Sequence, residues 1–294
     1  MIIENQLDNF TWIRVYSPDK EDFESLLSDY KIDEDTLEDI LDPDEQPRIE
    51  SEEDYKVIIV RFPINNAEVD KIWHTEPIGI IYSKNKVITI CRKRCEILDK
   101  IQLSLMESKE YFILDVIYRI AERYLKSLKF LNTEVFRAKQ KLSQRIQKKH
   151  LLKLLDIENS YTLYLAGLKG NSNVMEKLDK MRSFNKNDEC EELLDDARIE
   201  INQAIETTVS YAKMLAAIKN TFESVINIDS NTYINRLTMW TIILIAPTII
   251  VGFYGMNMAL PFSQYESTSI VIFWMIMALI ITYGIYTLWR RIRG

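Results

Sequence analysis

The sequence predicts an α+β chain with three parts: an N-terminal domain built as a small sheet with helices packed on it, a long helical stalk, and a C-terminal hairpin of two membrane-crossing helices. Three observations carry this expectation. Strand-like and helix-like segments alternate through the first hundred residues. From Ile78 to Ala246 there is no proline, and glycine occurs there only at Gly79, Gly167 and Gly170, a composition that favours long helices. Two charge-free runs close the chain, Leu237–Phe253 and Ile270–Trp289, and ~20 apolar residues match a hydrocarbon core of ~30 Å.

The α/β part is read over residues 1–109. Phe10–Ser17 is β-rich and ends at Pro18. Asp19–Tyr30 places Phe23, Leu26 and Leu27 at helical spacing behind a capping Asp19. Asp33–Leu41 is a second short helix, stopped by Pro43. Tyr55–Phe62, Pro77–Tyr82 and Lys86–Cys91 read as strands, the last two joined by a turn at Lys84-Asn85. Helices interrupting strands imply a small sheet with helices packed on it.

Residues 110–187 read as long antiparallel helices. Ile113, Ile117, Ile120, Tyr124, Leu128, Leu131, Val135 and Ala138 recur every three or four residues. His150–Met181 continues helically with Gly167 and Gly170 as weak points, and Ser183–Asp188 is a turn. A stalk helix over 188–236 starts near Asp188 and meets no stop signal before the first apolar run. Unbroken through that run, ~65 residues would make a rod ~100 Å long, which needs neighbours to pack on.

The first membrane helix is placed at 237–254, an external loop at 255–269, the second helix at 270–289 and a basic tail at 290–294. The loop has no Lys or Arg and one acid, Glu266, whereas Arg236 precedes the first run and Arg290, Arg291 and Arg293 follow the second. Positive residues stay inside, so both termini are expected in the cytoplasm of a multi-pass plasma-membrane protein. The net charge of −7 makes nucleic acid an unsuitable partner. Three cysteines (Cys91, Cys95, Cys190) and an N-terminus without a secretory signal suit a reducing compartment. No P-loop, nucleotide fingerprint or Ser-His-Asp set supports an enzyme, and no organic cofactor is expected.

Polar residues in the first run are grouped. At 100° per residue, Asn231, Thr238, Thr241 and Thr248 fall in one arc of ~100° with Ile234, Ile245 and Gly252. Threonines in such helices commonly bond their own backbone. A stripe leading from Asn231 to the Gly255-Met256-Asn257 that follows the run admits a second reading. Several copies around an axis would line a narrow path with hydroxyls and amides.

Tyr254-Gly255-Met256-Asn257 at the outer end of the first of two C-terminal runs, before a short loop without Lys or Arg, a final run and a basic tail, resembles the signature of the CorA family of magnesium and cobalt channels. Pro47-Arg48-Ile49-Glu50 followed by Asp54-Tyr55 and an apolar strand is similar to that family's N-terminal domain, and so is Lys86–Ile90 ahead of a charged helix. The resemblance implies a cytoplasmic α/β/α domain and a homopentamer in a lipid bilayer, with five copies of the first run around a pore, Mg²⁺ as the divalent cation carried, and Co²⁺ or Ni²⁺ as further candidates. It assigns capture of hydrated Mg²⁺ to Gly255, Met256 and Asn257, and pore-lining positions to Asn231, Ile234, Leu237, Ile245 and Thr248. Thr238, Thr241 and Gly252 join them from the stripe. The loop departs from many relatives in lacking an acid near the motif. A zinc carrier of the same superfamily is one rival, against which Met256 argues mildly, and a helical membrane scaffold without transport is another.

Asp33–Asp54 holds twelve acids and one base, Arg48, and six more acids lie in Asp188–Asp196. Most read as solvated faces. The resemblance places a regulatory Mg²⁺ site between subunits, closing the pore when internal Mg²⁺ is high, with Asp196 as one ligand and Asp99 as its partner. Cys91-x₃-Cys95 lacks the further ligands that zinc needs. The Lys- and Arg-rich stretch Arg119–Lys153 reads as the wet face of a helix pair, partnering acidic segments of neighbours.

Overall fold

The computed structural model describes residues 2–65, 73–103, 106–144, 147–185, 187–254, 271–272, 274–280, 282–284 and 286. Contacts divide the chain into two units, Met1–Lys219 and Asn220–Gly294.

In the first unit a six-stranded sheet is assembled from β1 (Ile2–Gln6), β2 (Thr11–Tyr16), β3 (Arg48–Ser51), β4 (Lys56–Asn65), β5 (Trp73–Tyr82) and β6 (Lys86–Cys91), in the order β1-β2-β6-β5-β4-β3. Only β2 and β6 pair in parallel; the remaining pairs are antiparallel. The turn expected at Lys84-Asn85 joins β5 to β6, with Tyr82 opposite Val87 and the Ser83 N–H donating to the Lys86 carbonyl. Both β4 and β5 run past the prolines at which the sequence reading cut them. Pro63 faces Thr75 and Pro77 faces Arg61 inside the ladder.

Helices α1 (Lys20–Ser28) and α2 (Glu34–Leu41) cover one face. Asp19 caps α1 as expected: its carboxylate accepts from the Asp22 N–H at 2.8 Å, and Asp22 returns the bond to the Asp19 N–H. Leu26, Leu37 and Ile40 are fully buried against Val15, Val57, Ile59 and Ile90, each worth about 1.5–3 kcal/mol of burial. A short α3 (Glu96–Asp99) follows β6.

The other face carries α4 (Lys109–Gln144) and α5 (Lys148–Asp179). All eight residues of the α4 periodicity are buried. Phe112 packs on Trp12 with ring centroids 4.7 Å apart, and Trp12 Nε1 donates to Thr89 Oγ1 at 3.0 Å. The unit is therefore a sheet with helices packed on both faces, the α/β/α arrangement that the resemblance implied. Gly167 and Gly170 do not weaken α5, which runs through both. They mark close approaches: an added Cβ would lie 2.5 Å from the Pro47 ring at Gly170 and 2.7 Å from the Tyr124 hydroxyl at Gly167.

Helix α6 spans Asp188–Tyr254 as one element of 67 residues. In the first unit its buried positions are Cys190, Leu194, Ala197, Ile201, Ala204, Thr208, Leu215 and Ile218, a single stripe at three-four spacing. Within the second unit, residues 271–286 are helical where described. A Cβ at Gly284 would lie 3.2 Å from Ile243 on α6, so the two runs meet there backbone to side chain.

Candidate functional site

The capture residues Gly255, Met256 and Asn257, the loop 255–269 and the tail 290–294 lie outside the described residues. What is described is the helix that leads to them. Asn231, Ile234, Leu237, Thr238, Thr241, Ile245, Thr248 and Gly252 are all exposed on α6, and nothing lies within 4 Å of a Cβ built at Gly252. Exposure is not confined to the polar stripe. Trp240, Ile242, Leu244, Ile249 and Val251 are each about half or more exposed as well. An apolar helix bare on most of its circumference must be covered by lipid or by further chains.

Among the described residues no helix is long and apolar enough to cross a membrane. Side chains at 246, 247, 250, 253 and 254, inside the first run, lie outside that description, as does much of the second run.

The threonines do what such residues commonly do. Thr238 donates to the Ile234 carbonyl at 2.9 Å, Thr241 to Leu237 at 2.9 Å and Thr248 to Leu244 at 2.8 Å. The two readings of the stripe then cease to compete. A hydroxyl whose proton is committed to the backbone presents only lone pairs outward. Such an oxygen is an acceptor for a water hydrogen.

The acidic positions have distinct neighbours. Asp196 is exposed on α6. With burial and with Glu122 and Glu200 it pushes the Tyr118 phenol upward, which places it in a carboxylate group on the α4–α6 side. Asp99 ends α3 and is engaged already. Arg94 Nε donates to it at 2.8 Å and the Tyr16 hydroxyl at 3.2 Å, while Arg14 lies 3.6 Å away. Among the described residues no group of three or more His, Cys, Asp or Glu could hold a metal ion. Cys91 and Cys95 are buried free thiols, and burial pushes the Cys91 thiol up.

Two polar nodes escaped the sequence reading. Arg61, 8% exposed, sends its guanidinium to the Pro43, Glu45 and Thr75 carbonyls and to Thr75 Oγ1, pinning the connection between α2 and β3 under the sheet. Glu76, 1% exposed, receives His74 at 3.0 Å, Arg92 at 3.0 Å and Lys93 at 2.8 Å. Burial alone would raise its carboxyl; the bonds from His74, Arg92 and Lys93 outweigh that and hold it well below the ordinary 4.5. A depressed folded value means that the stabilisation is complete above 4.5 and disappears as pH falls through the folded value. Glu76→Gln is accordingly expected to lose about 1–3 kcal/mol at pH 7. Urea unfolding at pH 7 and pH 3 should show the gap to the wild type narrowing in acid.

The family model described as "CorA-like Mg2+ transporter protein" matches residues 8–291. The "Cobalt/magnesium transport protein CorA" of Methanocaldococcus jannaschii is 25% identical over 297 residues, covering 95% of this chain and 91% of that protein. The "Magnesium transport protein CorA" of Helicobacter pylori is 23% identical over 259 residues, covering 84% and 79%. The complete structure of the M. jannaschii CorA magnesium transporter superimposes with a TM-score of 0.83 at 24% identity, over 97% of this chain and 92% of that one.

Proposed function

Since the chain belongs to the CorA family of magnesium/cobalt transporters, we propose that it works as a homopentameric channel that admits Mg²⁺ down the membrane potential. The observation that carries the reading is α6 itself. One helix begins with acids and a packed stripe, and ends in an uncharged run whose described side chains are mostly exposed. Five copies around an axis, set in lipid, would cover that run and turn its polar arc inward.

Both runs then cross the bilayer, Leu237–Tyr254 as the pore helix and 270–289 as its outer support, with both termini in the cytoplasm. Asn257 would meet the ion first. Mg²⁺ gives up its water reluctantly, so a ring of amide oxygens that accept from the shell binds it without stripping it. Gly255 lets the backbone come close. Below the mouth, Thr248, Thr241 and Thr238 offer acceptor oxygens at intervals, separated by Ile245 and Leu237, and Asn231 closes the path on the inner side. The protein performs no bond-breaking chemistry, and the site needs no organic cofactor.

Regulation follows from repulsion. Carboxylates brought face to face between subunits repel, and a bound Mg²⁺ neutralises them and draws the subunits together. Asp196 is free to do this because it is exposed, whereas Asp99 would have to exchange Arg94 for the ion.

The test is Mg²⁺ flux into liposomes holding the purified full chain and a Mg²⁺-sensitive dye. Potential-driven flux supports the channel, no flux for any divalent ion supports a scaffold, and Zn²⁺ in preference to Mg²⁺ supports the zinc rival. In the same vesicles Asp196→Ala is expected to conduct at internal Mg²⁺ concentrations that close the wild type. An unchanged inhibition curve would remove Asp196 from the sensor.

A further inference from the structure

We propose that the cleft at the joined ends of α4 and α5 binds the phosphate headgroups of anionic lipid at a bilayer surface. The cleft has a volume of about 980 Å³ and lies wholly within the first unit. Trp73 and Phe130 form its apolar wall, with ring centroids 5.3 Å apart. Arg137, Lys141, Lys148, Lys149 and Lys153 bring five cations to it, against Glu134 and Asp156.

The two acids do not cancel the five bases. Glu134 pairs with Lys153 and Arg137, and the Lys153 bond, against the opposing effect of burial, keeps its carboxyl below the ordinary range. Among the described residues Lys141, Lys148 and Lys149 make no ion pair, and all three are exposed. The lining is therefore basic and offers donors for phosphate oxygens.

The surroundings distinguish a lipid surface from a soluble anion. Phe130, Phe136, Leu152 and Leu155 are each between 42% and 49% exposed on the same two helix ends. Lysines interleaved with bare Phe and Leu are the composition of a surface that sits among headgroups, with apolar side chains toward the acyl boundary. A site for free phosphate alone has no use for them.

Helix register supplies the orientation. Arg198 faces Asp179 and Lys219 faces Glu158, so α5 and α6 run antiparallel. Helix α5 begins at Lys148, ten residues before Glu158. Within the first unit the basic end of the hairpin therefore lies toward the Lys219 end of α6. In a channel of the proposed topology the chain continues from Lys219 to the cytoplasmic leaflet, where anionic lipids reside.

This inference rests on the membrane reading, and its test separates the two. The full chain, carrying an environment-sensitive dye through Gln147→Cys, is reconstituted into bilayers of phosphatidylcholine with or without phosphatidylglycerol, each doped with headgroup-level nitroxide lipid. The native cysteines are buried and do not compete for the dye. A second preparation carries the dye through Trp240→Cys.

Strong quenching at position 147 is expected in the anionic bilayer. It should fall about threefold in phosphatidylcholine alone, in the Lys141→Gln/Lys148→Gln/Lys149→Gln variant, and in high salt. Quenching at 240 with none at 147 would overturn the proposal and leave the channel standing, and no quenching at either would overturn the membrane reading as well. Equal quenching in both lipids would also overturn it. So would release by millimolar inorganic phosphate, which points to a soluble anion.

Discussion

Asn257→Ala, reconstituted at the same protein-to-lipid ratio as the wild type, is expected to lower Mg²⁺ flux by about tenfold or more. The magnitude comes from the hydrogen bonds lost. A bond to a charged group is worth ~1.5–3 kcal/mol, and the waters around Mg²⁺ are polarised enough to count as such donors. Every 1.4 kcal/mol is a factor of ten in occupancy, so losing even one well-made contact at the mouth suffices. Five subunits would lose it together. Alanine removes only the side-chain amide. Asn257→Asp separates charge from hydrogen bonding: a carboxylate ring would capture the ion more tightly, and its grip slows release into the pore. Flux in Asn257→Asp is therefore expected below the wild type despite stronger apparent binding. Equal flux in Asn257→Ala and the wild type would remove Asn257 from capture. The loop itself sharpens the test, since it offers no acid before Glu266 that could substitute for the amide.

The route from sequence to this site was uneven, for physical reasons. Periodicity was readable wherever one face of an element is buried and the other is wet. The α4 stripe from Ile113 to Ala138 is such a case, and so are the strands β2, β4, β5 and β6. Two strands run past the bounds Tyr55–Phe62 and Pro77–Tyr82 read for them. Pro63 and Pro77 each lack a donor and keep their places because the ladder on either side is long enough to hold them. Strands β1 and β3 left no pattern to find. They are short edges whose residues, IIENQ and RIES, alternate too briefly to signal a buried face. Gly167 and Gly170 read as helix weakness when taken alone. Their role depends on Tyr124 and Pro47, distant in sequence and adjacent in space. The polar arc on α6 was legible because a helix wheel needs only local spacing. Arg61, Asn171 and Glu76 were not, because a single polar residue in an apolar segment announces burial without naming its partner. Arg61 in the strand YKVIIVRF was the available signal: an inward charge there has to be met by something.

What meets the backbone of Arg61 is Asn171, and Asn171→Ala is expected to destabilise the first unit by about 3 kcal/mol. Arg61 stands where the ladder cannot serve it. Its N–H and carbonyl both point to the β3 side of β4, and β3 reaches only to Ile59, opposite Arg48. Asn171, 1% exposed on α5, fills the gap as a strand would. Its Oδ1 accepts from the Arg61 N–H at 2.8 Å and its Nδ2 donates to the Arg61 carbonyl at 2.7 Å. The Tyr124 hydroxyl donates to the same carbonyl at 3.2 Å, which leaves the carbonyl one partner when the amide is gone. The N–H keeps none, and an orphaned buried donor costs about 1–3 kcal/mol on top of the cavity. For a unit of 219 residues this corresponds to a melting temperature lower by roughly 6–12 °C, measurable by calorimetry on the full chain in detergent. Asn171→Asp gives the sign of the interaction. Its carboxylate still accepts from the N–H but faces the carbonyl without a proton, so the variant should be the less stable of the two at pH 7. Because burial and the carbonyl raise the carboxyl's folded value, acid restores the donor, and the Asp variant should regain stability as pH falls while the Ala variant does not. A melting temperature that stays at the wild-type value in Asn171→Ala would mean that Arg61 finds another partner, and that α5 is held on the sheet by its apolar face alone.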